Sequence, residues 1–213
     1  MIKILRGELV EEHTYLYVDD TTKHAFIIDP GLSGDKIVKY AEEEGITIEK
    51  ILITHGHFDH IKGVKELHDS IGAPIYIHTE GKTYITNAVH NLSTGFFDDP
   101  IEFEAEYYVQ EGDVITLDAN PDFSVKVIHV PGHSADGVAF YNEKEGVAFV
   151  GDIIFAGGVG RSDLFGGNSL QLLNGIRAKI FTLPENTVLY PGHGPSTTVE
   201  REKLTNPIFN MFD

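Results

Sequence analysis

Thr54-His55-Gly56-His57-Phe58-Asp59-His60 is the stretch on which the reading of this chain turns. It follows a short apolar run, Ile51–Thr54, that reads as a buried strand, and precedes Ile61, Val64, Leu67 and Ile71, which recur at helical spacing until Gly72. Three imidazoles and a carboxylate therefore crowd one strand-to-helix turn. Alternate residues there point to the same side, so His55 and His57 can reach one ion while Asp59 and His60, rotated onward, reach another. Gly56 removes the side chain that would crowd them. Neutral imidazole and carboxylate suit Zn, Fe, Mn or Co.

Outward from this turn, the N-terminal part alternates strands with helical patterns. Thr14–Val18 and Ala25–Ile28 read as strands, Ser33 as an N-cap before Ile37, Val38 and Ala41, Gly45 as the stop, and Ile75–His78 as another strand. Such alternation means a sheet with helices on its faces. The stretch Asn91–Gln110 is acidic, aromatic and weakly periodic, and reads as a long loop lying over another part of the chain. The pattern then turns strand-rich: Val114–Leu117, Ser124–Val130, Val138–Tyr141 and Val147–Val150. Asn168 or Ser169 caps a helix carrying Leu172, Leu173, Ile176 and Ile180. Val188–Tyr190 makes a last strand, and Thr197 with Glu200 fits a capping box. No linker divides the chain, so residues 1–213 are expected to form one domain whose two similar halves build an α/β sandwich of two sheets with helices outside.

Three further residues sit just past apolar strands: His133 in Pro131-Gly132-His133-Ser134, Asp152 in Gly151-Asp152, and His193 in Pro191-Gly192-His193-Gly194-Pro195. With the His55–His60 turn they share one address, the carboxyl end of a strand, where side chains from separate strands can converge.

Composition narrows the chemistry. Thirty-three acidic against sixteen basic side chains leave a net charge of −17, which opposes binding to a polyphosphate backbone, so no nucleic-acid partner is expected. No apolar run approaches the roughly 18–20 residues that span a bilayer, and Met1–His13 carries acidic residues where a signal peptide needs its apolar centre; a cytoplasmic protein without a membrane partner is expected. With no cysteine among 213 residues, disulfides, thiolate nucleophiles, zinc–thiolate clusters and iron–sulfur ligation are excluded.

His55-x-His57-x-Asp59-His60 followed by His133, Asp152 and His193 resembles the binuclear metal signature of the metallo-β-lactamase-fold hydrolases, and the resemblance runs from Asp29-Pro30-Gly31 to Pro191-Gly192-His193. It implies an αβ/βα sandwich of two mixed β-sheets. It also implies two divalent metal ions, with Zn expected and Fe or Mn as alternatives: one held by His55, His57 and His133, the other by Asp59, His60 and His193, with Asp152 bridging. Asp29 looks like the family's carboxylate that orients a ligand imidazole from behind. Two such ions lower the pKa of a shared water toward ~7, and the hydroxide attacks a polarised carbonyl. Asp59 and Asp152 would then be catalytic as well as ligating. A thioester suits this chemistry because a departing thiolate needs little protonation.

Phe155-Ala156-Gly157-Gly158-Val159-Gly160-Arg161-Ser162-Asp163 and Pro191-Gly192-His193-Gly194-Pro195-Ser196-Thr197 are similar to the short bacterial form of the hydroxyacylglutathione hydrolase (glyoxalase II) branch. The implied partner is a small-molecule thioester of the S-lactoylglutathione type, with Arg161 pairing with a substrate carboxylate; Arg161 also reads as an arginine that holds its own loop. Asp152 stands where β-lactamases commonly carry Cys. The longer glyoxalase II enzymes add a C-terminal helical region for glutathione, whereas about twenty residues follow His193 here. His133-Ser134-Ala135-Asp136-Gly137 departs from the common Gly-His-Thr-x-Gly pattern by a carboxylate, Asp136, which reads as a solvated charge. The alternative within enzymes is a persulfide dioxygenase with one Fe(II) on His55, His133 and Asp152. Outside enzymes it is a metal-binding scaffold. Oligomeric state is not legible.

Overall fold

The computed structural model describes residues 1–7 and 11–210, the side chain of Asn210 excepted. In chain order it contains β1 (Ile2–Arg6), β2 (His13–Val18), β3 (His24–Ile28), α1 (Gly34–Glu44), β4 (Thr47–Leu52), α2 (Phe58–Ile61), α3 (Val64–Ile71), β5 (Ile75–His78) and α4 (Lys82–Ile85). The second half follows with β6 (Tyr107–Val109), β7 (Val114–Thr116), β8 (Ser124–His129), β9 (Val138–Asn142), β10 (Val147–Gly151), β11 (Ile154–Phe155), β12 (Gly158–Val159), α5 (Ser169–Gly175), β13 (Val188–Pro191), β14 (Thr197–Thr198), α6 (Val199–Thr205) and α7 (Pro207–Asn210).

Two six-stranded sheets result, ordered β1-β2-β3-β4-β5-β6 and β14-β13-β10-β9-β8-β7, and both are mixed. Because strand side chains alternate faces, each buried strand feeds two layers at once. Tyr15, Tyr17, Phe26 and Ile28 of the first sheet meet Val138, Phe140, Val147 and Phe149 of the second in a central layer. The intervening Leu16, Val18, Ala25 and Ile27 face α1 and α3 through Ile37, Ala41, Val64 and Leu67. Ala139, Tyr141, Ala148 and Val150 pack outward against Leu172, Ile176 and Ile180. Large aromatics fill the space between sheets while mostly smaller aliphatics meet the helices. Each such side chain contributes about 1.5–3 kcal/mol on burial. This is the expected αβ/βα sandwich, and it explains why β2, β9 and β10 read as continuous apolar runs.

Several expectations need correction. The helical pattern from Ile61 to Ile71 is two helices, α2 and α3, and Ile71 is exposed. Ser33 starts α1, but its hydroxyl caps nothing there; it donates to Glu66 Oε2 (3.2 Å), which also accepts the Gly34 N–H (2.6 Å). Asn168 does cap α5, accepting from Gln171 N, and the pattern through Ile180 continues as a π-helical turn over Ile176–Ile180. Thr197 and Glu200 form no capping box. Thr198 caps α6 by accepting from Arg201 N (3.2 Å), while the Thr197 hydroxyl bonds Glu202. The Asn91–Gln110 stretch includes the edge strand β6, which pairs parallel with β5, and Ile101, Phe103 and Tyr108 pack on the first core layer. Among the described residues, no helix is long and apolar enough to cross a membrane.

Candidate metal centre

Strand direction gathers the chemistry. β8 and β10 both run antiparallel to β9, and β13 runs parallel to β10, so all three deliver their carboxyl ends to one edge; in the first sheet β3 runs parallel to β4. Past these ends lie His133, Asp152, His193, Asp29 and the His55–His60 turn.

Three groups of ligand atoms lie within 4.8 Å of one another: His55, His57 and His133; His55, His60 and Asp152; and Asp59, His60 and His193. The distances divide them between two centres. His57 Nδ1 and His133 Nε2 are 3.0 Å apart, close to the ~3.4 Å that separates two nitrogens on one tetrahedral zinc. Nearby, His193 Nε2 is 3.2 Å from Asp59 Oδ2, and His60 Nε2 is 3.7 Å from the same oxygen. Asp152 faces both centres, Oδ2 lying 3.6 Å from His133 Nε2 and Oδ1 lying 3.4 Å from His60 Nε2 and 3.7 Å from His193 Nε2. The approach is close enough that a Cβ on Gly192 would come within 2.5 Å of Asp152 Oδ1 and the His60 ring.

The residues fit divalent cations. Among the described residues, Nε2 of His55 and His60 and Oδ1 of Asp152 are buried and make no hydrogen bond, and buried polar atoms without partners are costly. A cation among them supplies the missing partner. Titration agrees. Burial pushes the His57 imidazole down to about 3, helped by His133, and lowers His55 and His133 as well, leaving neutral lone pairs at the first centre. At the second, burial opposes charge on both sides, yet His60 and His193 hold Asp59 below the usual carboxylate range. In return Asp59, Asp29 and Asp152 hold His60 well above the usual imidazole value.

Supporting groups fix these rings. Asp29 accepts from Thr54 N at Oδ1 (2.7 Å) and from the Thr54 hydroxyl at Oδ2 (2.6 Å), with His60 Nδ1 2.9 Å from the latter oxygen. Its backbone is left-handed at φ 50°, a strained setting for a non-glycine residue that Asp tolerates better than most. His133 Nδ1 lies 2.7 Å from the Arg161 carbonyl oxygen, and the Arg161 guanidinium is exposed and forked onto Asp163 at 2.8 Å twice. The loop thus holds the histidine through the arginine's carbonyl, while the guanidinium holds the loop's own aspartate.

The structure brings together every residue the sequence nominated for the metals. It also adds some the sequence did not. Asp136 is fully buried, with burial raising its pKa to about 6, and Glu12 is buried behind Asp29 and Asp59 with its pKa driven well up by burial. Asp136 is therefore not the solvated charge expected. Tyr84, also fully buried, packs edge-on against His57 with ring centroids 5.9 Å apart. Neither Glu12 nor Tyr84 stands near the motif in sequence, so no local signal could reveal them.

Residues 9–193 match the model of the metallo-β-lactamase superfamily. The chain belongs to that superfamily. It is 36% identical over 203 residues to the probable metallo-hydrolase YqgX of Bacillus subtilis (95% of this chain, 94% of the relative). It is 31% identical to the hydroxyacylglutathione hydrolase GloC of Haemophilus influenzae, covering 98% of each. Among solved structures, the BLEG-1 B3 metallo-β-lactamase superposes with a TM-score of 0.91 at 35% identity (98% of this chain, 99% of that one). A di-iron-bound form of TTHA1623 gives 0.85 at 30% identity (97% and 99%).

Proposed function

We propose that this metallo-hydrolase cleaves a small thioester of the hydroxyacylglutathione type. The observation that carries the reading is Asp152, one carboxylate whose two oxygens address two ligand groups. His55, His57 and His133 would hold one divalent ion and Asp59, His60 and His193 the other, with Asp152 between. Zinc is the expected pair, and the di-iron neighbour makes iron the alternative. Bound there, the ions supply Lewis acidity that brings water's pKa toward ~7.

The chain's own groups do the rest. The neutral imidazoles keep their lone pairs free, and the ionised Asp59 and Asp152 supply the negative charge that lets two cations sit close together. Asp29 orients His60 and the Arg161 carbonyl orients His133, so neither ring turns away from the centre. The Arg161 fork lies in solvent on the adjoining loop, available to a substrate carboxylate in exchange for Asp163. A thioester needs no separate acid for its leaving group, which matches a site built of ligands. The similarity to GloC, a hydroxyacylglutathione hydrolase, supports the thioester, and that to YqgX, a probable metallo-hydrolase, supports hydrolysis. We further propose a cytoplasmic protein that binds neither nucleic acid nor membrane, in keeping with its charge of −17.

The deciding experiment measures thiol release from S-lactoylglutathione and metal per chain in one sample, with a β-lactam assayed beside it. Release with about two metals is expected. Hydrolysis of the lactam alone overturns the thioester reading, and a single iron without release transfers the assignment to mononuclear iron chemistry at His55, His133 and Asp152.

A further inference from the structure

Asp136 takes no part in the ligand sets, yet it is one of the most enclosed charged groups in the molecule. It lies in the β8–β9 turn three residues past His133, with no exposed surface. Its Oδ2 accepts the N–H of Gly56 at 2.8 Å, and Gly56 is the residue between His55 and His57. A single bond therefore joins the turn that carries two ligands of the first centre to the turn that carries the third, across 80 residues of sequence. Two glycines make room for the carboxylate. A Cβ on Gly56 would come 3.3 Å from Oδ2 and 2.4 Å from Tyr84 Cβ, and one on Gly81 would come 3.2 Å from the same oxygen. Tyr84 grips the turn from the other side, its hydroxyl accepting from Ala135 N (2.9 Å) and donating to the Phe165 carbonyl (3.0 Å). Among the described residues Asp136 Oδ1 accepts no hydrogen bond, and the nearby Ser134 hydroxyl eases its burial only in part, so the carboxylate is kept at an energetic cost that a neutral turn residue would avoid.

We propose that Asp136 is a positioning residue that locks the His55-Gly56-His57 turn to the His133 turn and so sets how tightly the first centre holds its metal. Resting on the metal-site reading above, the proposal adds a residue outside the ligand sets. The bond from Gly56 N to an ionised acceptor is stronger than one to a neutral group, and it fixes a peptide flanked on both sides by ligands. Without it, the two turns are joined by the Val138 N–H to Thr54 carbonyl bond of 2.9 Å and by the 3.0 Å contact of His57 Nδ1 with His133 Nε2, neither of which holds the Gly56 peptide.

The test is competition between the protein and a chelator for zinc, with Asp136→Ala, Asp136→Ser and Asp136→Asn beside the wild type, and melting temperatures with and without zinc. Asp136→Ala and Asp136→Ser, too short to reach Gly56, are expected to weaken one of two zinc sites by at least about tenfold, as losses of outer supporting groups do. Asp136→Asn restores an acceptor at the same reach and is expected to recover most of that loss. A purely structural role would lower the melting temperature equally with and without zinc. Positioning instead shrinks the rise that zinc produces. Equal zinc affinity in Asp136→Ser and Asp136→Asn overturns the proposal, and that pair decides the matter even where Asp136→Ala does not fold. A wild type that takes up no zinc would instead overturn the metal reading, a separate result, and thioester activity plays no part in either.

Discussion

The first half of the chain delivers four ligand candidates from one six-residue turn, whereas the second delivers three, each from a different strand end. The difference extends to their surroundings. His55, His57 and His60 are buried, and His60 is braced within its own half by Asp29, which also ties down Thr54. In the second half His133 is braced by the carbonyl of a glycine-rich loop, and His193 keeps 28% of its side chain exposed. The first half is a preassembled portion of the centre, and the second completes it from strand ends that only the sheet brings together. Asp152 and Asp136 are where the two halves depend on each other.

The largest expected effects come from removing that dependence. His57→Ala takes a ligand from the preassembled half and Asp152→Ala the group that faces both centres. Each is expected to drop thioester hydrolysis below about a tenth of wild type while circular dichroism stays native. Retention above that level in either variant would break the view that both halves are needed for one reaction.

A medium effect is expected where the halves meet away from the metals. His78, at the end of β5, stacks on His129, at the end of β8, with ring centroids 3.8 Å apart. Burial first, then His129 and Lys179, push the His78 pKa down to about 4 against an opposing pull from Glu111. Because the unfolded chain takes up the proton first, this contribution to stability is complete above pH ~6.5 and is lost as pH falls toward ~4. For the metal-free protein, His78→Gln should reduce the acid-side fall in melting temperature by about 2–4 °C, corresponding to about 1 kcal/mol. The same fall in both proteins would show that the stacked pair does not join the halves.

Arg161→Ala is expected to do least. Its guanidinium is exposed and its carbonyl, which holds His133, survives the substitution. KM for the thioester should rise about two- to fivefold with kcat nearly unchanged, as an exposed charge contact gives. An unchanged KM with a lowered melting temperature would make the arginine a brace of its loop and nothing more.

How far the sequence could be read follows from distance along the chain. The His55–His60 turn, the caps at Asn168 and Gly45 and the strand ends bearing His133, Asp152 and His193 are local patterns, and the structure places them as expected. The break between α2 and α3 is hidden because Ile61, Val64 and Leu67 keep helical spacing across it. The edge strand β6 is hidden because three residues of an exposed strand carry almost no periodicity. The burial of Asp136 is hidden because a carboxylate between Ala and Gly looks like any turn residue until Gly56 and Gly81 close over it.

By itself, then, the sequence determined the donor chemistry of the centre: nitrogen and oxygen ligands, no sulfur, and a compact turn holding four of them. It also determined the two-layer α/β plan, because alternation of apolar residues is a property of the strand. The tertiary structure alone decided that Asp152 faces two centres, that Asp29 stands behind His60 and that Asp136 joins the two ligand turns. Those facts depend on contacts across tens of residues, and side-chain periodicity carries no information about which strand ends a fold will bring within hydrogen-bonding reach.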